Sequence, residues 1–278
     1  MINWLASYPK SGNTWMRLLL AAYFRERDDA FDINAPGVTN GVAAARARFD
    51  EILGIDSAHL TDAEVKSLLP HVFTHMASAK PAPQWIKVHD AQARLPDGSW
   101  LFPPATSGKA VYIVRNPLDV AVSRAFHDGH EDMARAVEAL CNPAAAIGGD
   151  GKQQLKQCLG DWSHHVRSWV DQSEIPVLTV RYEDMLDDAA RELTRVIGFV
   201  FPDHPIDHAR IEEAVANTAF DRLQSVEAAQ GFRETTPRQK RFFRNGKAGG
   251  WVDHLTDEQV ARVTACHRPV MRRFGYAD

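Results

Sequence analysis

The sequence predicts an α/β protein: a single domain over residues 1–278, built on a parallel β-sheet with helices on both faces. Three observations predict it. Apolar strand-like runs alternate with helix-periodic segments along the chain. "KAVYIVR" (109–115) holds the continuous run Val111, Tyr112, Ile113, Val114, which suits a parallel strand buried on both faces. The 278 residues, 45% hydrophobic and 24% charged, show no internal repeat and no low-complexity linker, as expected for one globular unit.

"INWLASY" (2–8) reads as a buried first strand. Gly12 and Asn13 open a helix whose apolar face is Met16, Leu19, Leu20 and Tyr23. Residues 28–60 are mixed in composition and predict a loop with one or two short helices over the site. Thr61 to Glu64 is a capping-box signature for a short helix. "PAPQWIKVH" (81–89) predicts a strand after a proline-marked entry. "KAVYIVR" follows, then Pro117 at a first helical position and the helix "LDVAVSRAF". Residues 127–150 predict an irregular, mobile cover, and 152–170 a long amphipathic helix. "IPVLTVRY" (175–182) is the last strand, with the helix "DMLDDAARELTRVIGFV" after it. Helices are expected at 207–216 and 218–228, a Gly- and Arg-rich loop at 231–250, and a closing helix disturbed at Pro269.

Formal net charge is −4, so no global basic field argues for nucleic acid. The three cysteines, Cys141, Cys158 and Cys266, are far apart in sequence and fit a reducing compartment better than a disulfide framework. No signal peptide is legible, and "MRLLLAAYF" is too short to span a membrane. A cytoplasmic protein without an integral membrane segment is expected. No dimerisation motif is legible, and a homodimer stays open.

"YPKSGNTW" (8–15) is the most informative stretch. Gly12 lets the backbone turn and approach an anion. The amides of Gly12 to Thr14 would point at that anion from a helix N-terminus. Lys10 adds a charge, Ser11 and Thr14 add hydroxyls, and Trp15 either faces a base or joins the core. The nucleoside triphosphate loop, G-x-x-x-x-G-K-[ST], is absent. No carboxylate on a second strand is placed for Mg²⁺, so protein groups alone are expected to hold the anion.

Other segments add to this loop. "YIVRNPLDVAVS" puts Arg115 at a strand's C-terminal end and Ser123 on the next helix, where an open parallel sheet binds ligands. "FFRNGKAGGW" (242–251) offers Arg244 and Gly246. "WIKVH" sets Lys87 and His89 at another strand end, on one face. The result is a site with two anion clusters and one histidine.

From residue 7 to 251, this ordered set of motifs resembles the 3′-phosphoadenosine-5′-phosphosulfate-dependent sulfotransferases. The resemblance implies their P-loop nucleotide-hydrolase-like fold. It implies that Lys10, Ser11, Gly12, Asn13 and Thr14 hold the 5′-phosphosulfate. Arg115 and Ser123, helped by Arg244, Asn245 and Gly246, would hold the 3′-phosphate. Trp15 is similar to the family's adenine-stacking tryptophan, "TAF" with Thr218 and Phe220 to its adenine-contacting segment, and Tyr182 to a tyrosine near the base. His89 falls where the family has its catalytic base, and Lys87 where a supporting lysine is found. The product would be adenosine 3′,5′-bisphosphate, and no metal would be required. Two positions depart from the family's R-K-G-x-x-G-D-W: Asn245 stands for lysine, with Lys247 near to substitute, and Gly250 for aspartate. Asn13 stands where threonine is common, and its amide can still donate.

The implied reaction moves a sulfuryl group in line to an acceptor hydroxyl. His89 would take the proton, Lys10 would neutralise the leaving oxygen, and Lys87 would stabilise the sulfuryl oxygens. Ser123 would hydrogen-bond Lys10 until the acceptor arrives. A small-molecule or carbohydrate hydroxyl acceptor is expected, with a phenol, a sugar hydroxyl, a lipid alcohol and a natural-product scaffold all open, and segments 28–60 and 127–160 are expected to line its pocket. Two rivals remain: a small-molecule kinase and a non-catalytic nucleotide-binding protein. "HDGHED" (127–132) invites a metal reading, but no fourth ligand stands at a defined spacing. His71 and His75 are expected as ordinary polar residues at a helix end near Pro70. The adjacent His164 and His165 cannot share a helix face. Trp162, Val166 and Trp169 recur at helical spacing and predict core. "RQKRFFR" (238–244) is basic and aromatic, but its place beside the RNG motif favours nucleotide phosphate over nucleic acid.

Overall fold

The computed structural model describes residues 1–278 apart from 27–29, 36, 38–40, 80–83 and 150–152. The predicted parts of the segments 28–60, 81–89 and 127–160 that fall on those residues lie outside the described ones.

Five parallel strands form one sheet: β1 (Ile2–Ser7), β2 (Gly41–Val42), β3 (Gln84–Val88), β4 (Ser107–Val114) and β7 (Val177–Arg181), in the order β2-β3-β1-β4-β7. Two further short strands, β5 (Ala146–Ile147) and β6 (Gln157–Cys158), pair antiparallel beside it. Side chains alternate across a strand, and the packing shows it. Trp4 and Ala6 of β1, Val88 of β3 and Tyr112 of β4 face one core with α3 (Asp62–Ala79), α4 (Pro117–His127), α5 (Met133–Cys141), α6 (Trp162–Val170) and α11 (Asp257–Arg273). Leu5, Trp85, Val111, Ile113 and Val180 face a second with α1 (Asn13–Phe24), α8 (Ala189–Val200) and α9 (His208–Asn217). The doubly covered parallel sheet is therefore as predicted, and Val111 to Val114 are fully buried. Trp162, Val166 and Trp169 are core residues at 0% exposure.

Several boundaries differ, each for a local reason. The helix after Thr61 is not short. It has the expected capping box, with Thr61 N donating to Glu64 Oε2 at 2.8 Å and Glu64 N to Thr61 Oγ1 at 3.3 Å, and runs on through Pro70 to Ala79. An interior proline costs about 3 kcal/mol. Burial of Val65, Leu69, Val72, Phe73 and Met76 offsets it. His71 and His75 thus sit inside a helix, exposed.

Residues 127–150 are not wholly irregular. Asp132 accepts from Arg135 N and starts α5, whose Ala136, Val137 and Leu140 are buried. The long helix expected from 152 begins only at Trp162. Before it, Leu155, Gln157 and Leu159 are buried and Lys156 and Cys158 exposed, which is a strand period. Gly160, at φ 66°, and the N-cap Asp161 turn the chain into α6. The helix after β7 is two: α7 (Tyr182–Asp187) and α8, broken at Asp188, whose carboxylate caps Arg191 N at 2.9 Å. The two C-terminal helices expected before the basic loop are α9 and α10 (Phe220–Gln230). Pro269 lies inside a continuous α11. Cys141 and Cys266, far apart in sequence, are neighbours, and burial followed by Cys266 pushes the Cys141 thiol up to about 12. Among the described residues no helix is long and apolar enough to cross a membrane.

Candidate active site

The strands of a parallel sheet all end on one side, so the residues after them converge there. Ser7 leads into the "YPKSGN" loop, Val88 into His89, Val114 into Arg115 and Arg181 into Tyr182. A cleft of ≈ 1420 Å³ opens at that edge, and every predicted site residue except Ser11 lines it.

The loop has a backbone form that can cradle an anion. Lys10 and Gly12 have φ of 71° and 101°, so consecutive amides turn toward the cleft ahead of α1. Gly12 is obligatory for a second reason: a Cβ there would lie 2.5 Å from Tyr182 Cδ2. Gly12→Ala is expected to cost about 2–4 kcal/mol of stability from backbone strain and overpacking, measured by urea unfolding. Asn13 does not turn its amide to the cleft as predicted. Its Nδ2 donates inward to Leu5 O at 2.9 Å and Ser7 Oγ at 3.2 Å, so Asn13 locks the loop and offers a ligand only its backbone. Ser11 Oγ, Trp15 Nε1 and Arg115 Nε are buried donors without a partner around this cradle. An anionic nucleotide would supply acceptors of the kind they lack.

Arg115 joins the first loop to the 242–251 loop. It donates to Lys10 O and Lys247 O, both at 3.1 Å, and lies 4.3 Å over the Tyr182 ring. The buried carboxylate of Asp119 on α4 accepts from Gly249 N at 2.8 Å and Trp251 N at 3.2 Å. That clasp holds the 242–251 loop against Ser123 and Arg115. Asn245 and Gly246 line the same part of the cleft. Arg244 stacks 3.9 Å over Phe126. Gly246, at φ 59°, sits so close to Phe220 that a Cβ would be 2.2 Å from the ring. Trp15 and Tyr182 meet edge to face at 6.0 Å. Thr218 is 1% exposed and donates its hydroxyl to Ala214 O, so it offers shape more than a free donor. In "RQKRFFR", Phe242 and Phe243 pack against Phe232, so these rings present no stacking platform to a nucleic acid.

His89 is held as a neutral imidazole. Its Nδ1 is 2.8 Å from Ser7 O, which can only accept, so Nδ1 carries the proton and Nε2 keeps its lone pair. Burial, then the Lys87 charge, holds its pKa well below 6.5. A second histidine fixes the first: His165 Nε2 donates to the His89 carbonyl at 2.9 Å, and His165 Nδ1 accepts from Tyr112 OH at 2.8 Å. Lys10 is pushed down to about 7 by burial and by Lys87 and Arg115. Its ammonium lies 3.2 Å from His127 Nδ1 and 4.7 Å over Phe242. Lys10 thus meets His127, and Ser123 lines the same cleft.

Sequence reasoning missed Glu234. Its carboxylate reaches Arg17 Nη1 at 2.7 Å, Thr14 Oγ1 at 3.1 Å and Lys87 Nζ at 3.6 Å, joining the first loop to the end of β3. Burial alone would raise its pKa, but Lys87 and Arg17 hold it at about 2. An arginine inside the apolar run of α1 was the only signal. The "HDGHED" residues have other roles: His127 meets Lys10, Asp128 pairs with Arg124 at 3.6 Å, and Asp132 caps α5. Among the described residues no three metal-ligating side chains gather.

Residues 3–275 match the sulfotransferase domain family model. Cytosolic sulfotransferase 12 of Arabidopsis thaliana is 26% identical, covering 93% of this chain and 74% of the relative. Flavonol 3-sulfotransferase of Flaveria bidentis is also 26% identical, over 93% of this chain and 78% of the relative. The fold is similar to that of mouse sulfotransferase SULT7A1, crystallised with PAP, at a TM-score of 0.60 and 22% identity, over 98% and 84% of the two chains. With its whole length matched and its fold shared, the chain belongs to the sulfotransferase family.

Proposed function

We propose that this single-domain enzyme transfers a sulfuryl group from 3′-phosphoadenosine-5′-phosphosulfate to a hydroxyl of a small-molecule or carbohydrate acceptor, in a cytoplasmic setting. The observation that carries the reading is the convergence of the Lys10–Thr14 cradle, the Arg115 bridge and the free Nε2 of His89 on one cleft.

The donor, when bound, supplies an activated sulfuryl group on a phosphate leaving group. The cradle and Arg115 hold its two phosphate ends, while Trp15, Tyr182 and Phe220 enclose the base. His89 Nε2 takes the acceptor's proton as the acceptor oxygen bonds sulfur in line. Lys10 meets the charge that develops on the bridging oxygen as the old sulfur–oxygen bond breaks, and Lys87 faces the sulfuryl oxygens. No metal enters this assignment.

Transfer of labelled sulfate from the donor to an acceptor tests the reaction, and adenosine 3′,5′-bisphosphate calorimetry tests the site. A sign can be given in advance. Lys10 has a pKa of about 7 without ligand, and a phosphate beside it favours the charged form. Nucleotide binding is therefore expected to take up a fraction of a proton, more at about pH 8 than at about pH 6. Buffers of different ionisation enthalpy report it. Proton release at about pH 8, where the phosphates are already ionised, or no binding, would contradict the assignment.

A further inference from the structure

The two halves of the cleft differ in chemistry. Of its aromatic lining residues, Trp15, Tyr182 and Phe220 lie around the proposed base site, and Phe242 and Phe243 open the 242–251 loop. The ring of Phe242 is covered by the Lys10 ammonium. The segments expected to line the acceptor pocket add no exposed Phe, Tyr or Trp ring. From Asp128 to Asp161 the sequence contains no Phe, Tyr or Trp. Segment 28–60 has two aromatics, and both are spent on packing: Phe49 is 1% exposed in the core, and Phe31 lies against the apolar clusters beside α1.

What lines this half instead is Gln153, Gln154 and Gln157, with Arg135, Arg238 and the small apolar wall of Ile147. The amides are held in place. Ala45 bridges to Gln154, and Leu155 N donates to Ala44 O at 2.9 Å, tying the segment to the tail of β2. At its other end Ala91 N donates to Cys158 O at 2.9 Å, and Cys158 N to Asp90 Oδ1 at 2.8 Å, immediately after His89. Gln157, only 2% exposed, donates from Nε2 to Gln154 Oε1 at 3.0 Å, which orients both amides.

Sites for flat apolar ligands are lined mainly by hydrophobic and aromatic side chains. A phenol or sterol placed here would find no ring to stack on and would cover amides and guanidiniums without pairing them. Each glutamine amide offers two donors and two lone pairs, and each guanidinium five donors, a set that matches a ligand with many hydroxyls. Resting on the sulfuryl-transfer reading above, we propose that the acceptor is a polyhydroxylated, saccharide-like polyol, gripped through its hydroxyls by the Gln153–Gln157 segment with Arg135 and Arg238. One of its hydroxyls gives its proton to His89 Nε2 as its oxygen bonds sulfur, and the bridging oxygen of the donor keeps the electron pair.

The test supplies labelled donor with two acceptor sets: methyl pyranosides, a disaccharide and a uronic acid in one, and a nitrophenol, a flavonol and a phenolic steroid in the other. At least one polyol is expected to exceed every phenol in kcat/KM by about 100-fold or more, since a site built for hydrogen bonds rejects ligands that cannot make them. Gln154→Leu is expected to raise the KM of that polyol about tenfold or more, with the affinity for adenosine 3′,5′-bisphosphate unchanged. Gln153→Leu, an exposed position, repeats the test without risk to the fold. Sulfation of phenols in preference to every polyol overturns the proposal and leaves the sulfotransferase reading standing. Nucleotide binding with no transfer to any acceptor overturns both this proposal and the transfer reading. Loss of both nucleotide binding and transfer to every acceptor overturns both.

Discussion

His89→Ala is expected to lower kcat about 10²–10⁴-fold, the usual worth of a general base, while adenosine 3′,5′-bisphosphate still binds. The expectation comes from the hydrogen bond that fixes the tautomer. Nδ1 donates to Ser7 O at 2.8 Å, so Nε2 faces the cleft unprotonated. Burial and Lys87 keep the ring neutral well below pH 6.5. As pH falls, the base stays available until its depressed pKa is reached, so the acid limb of kcat should lie well below pH 6.5. Alanine also strands the Ser7 carbonyl, at a cost of about 1–3 kcal/mol, and lost activity alone would not separate chemistry from folding. His89→Asn separates them, because its amide can restore the donor to Ser7 but has no base. Both variants should lose kcat alike, with His89→Asn the more stable in thermal unfolding. Retention of more than about a tenth of kcat by His89→Asn would rule His89 out as the base.

The parts of the site carried by contiguous chemistry were legible in the sequence. A turn glycine beside lysine and hydroxyls, an arginine at the end of an apolar run, and a histidine two residues after a lysine each announce themselves locally. Parallel strands then force them to one edge, so sheet and site were read together. What was not legible depends on contacts between distant residues. Glu234 matters only because the 231–241 loop folds back on α1, and nothing within "GFRETTP" says so. His165 looked like half of an unremarkable pair, yet it fixes the carbonyl of His89 across 76 positions. The neighbours of Asn13 suggest a ligand donor, but its side chain turns inward to finish the loop. The helix expected from 152 failed because Leu155, Gln157 and Leu159 alternate in a short strand paired with β5, a partner that two residues of strand do not advertise.

Glu234→Gln is expected to move the basic limb of kcat down by about 1–3 pH units, the range that one opposite charge at such a distance shifts a neighbour. The group that responds is Lys87. Burial lowers its pKa, and the Glu234 carboxylate at 3.6 Å opposes that. Arg17 and Arg233 lower it further, and the charge of Lys87 itself bears on His89, Lys10 and His127. Glu234 is thus the one carboxylate among the charges that act most strongly on Lys87. With glutamine there, neutral Lys87 becomes easier to form, and the ammonium proposed to face the sulfuryl oxygens is lost at a lower pH. Activity should fall little at acid pH and steeply on the basic side of the profile. Lys10 does not confuse the readout, because kcat is measured with donor bound, where phosphate keeps Lys10 charged. A purely structural Glu234, acting as a tether between Arg17 and the 231–241 loop, makes a different prediction. Its loss would lower kcat by the same factor at every pH and lower the unfolding temperature with it. A basic limb that stays in place in a stably folded Glu234→Gln would show that the carboxylate only ties the loop down.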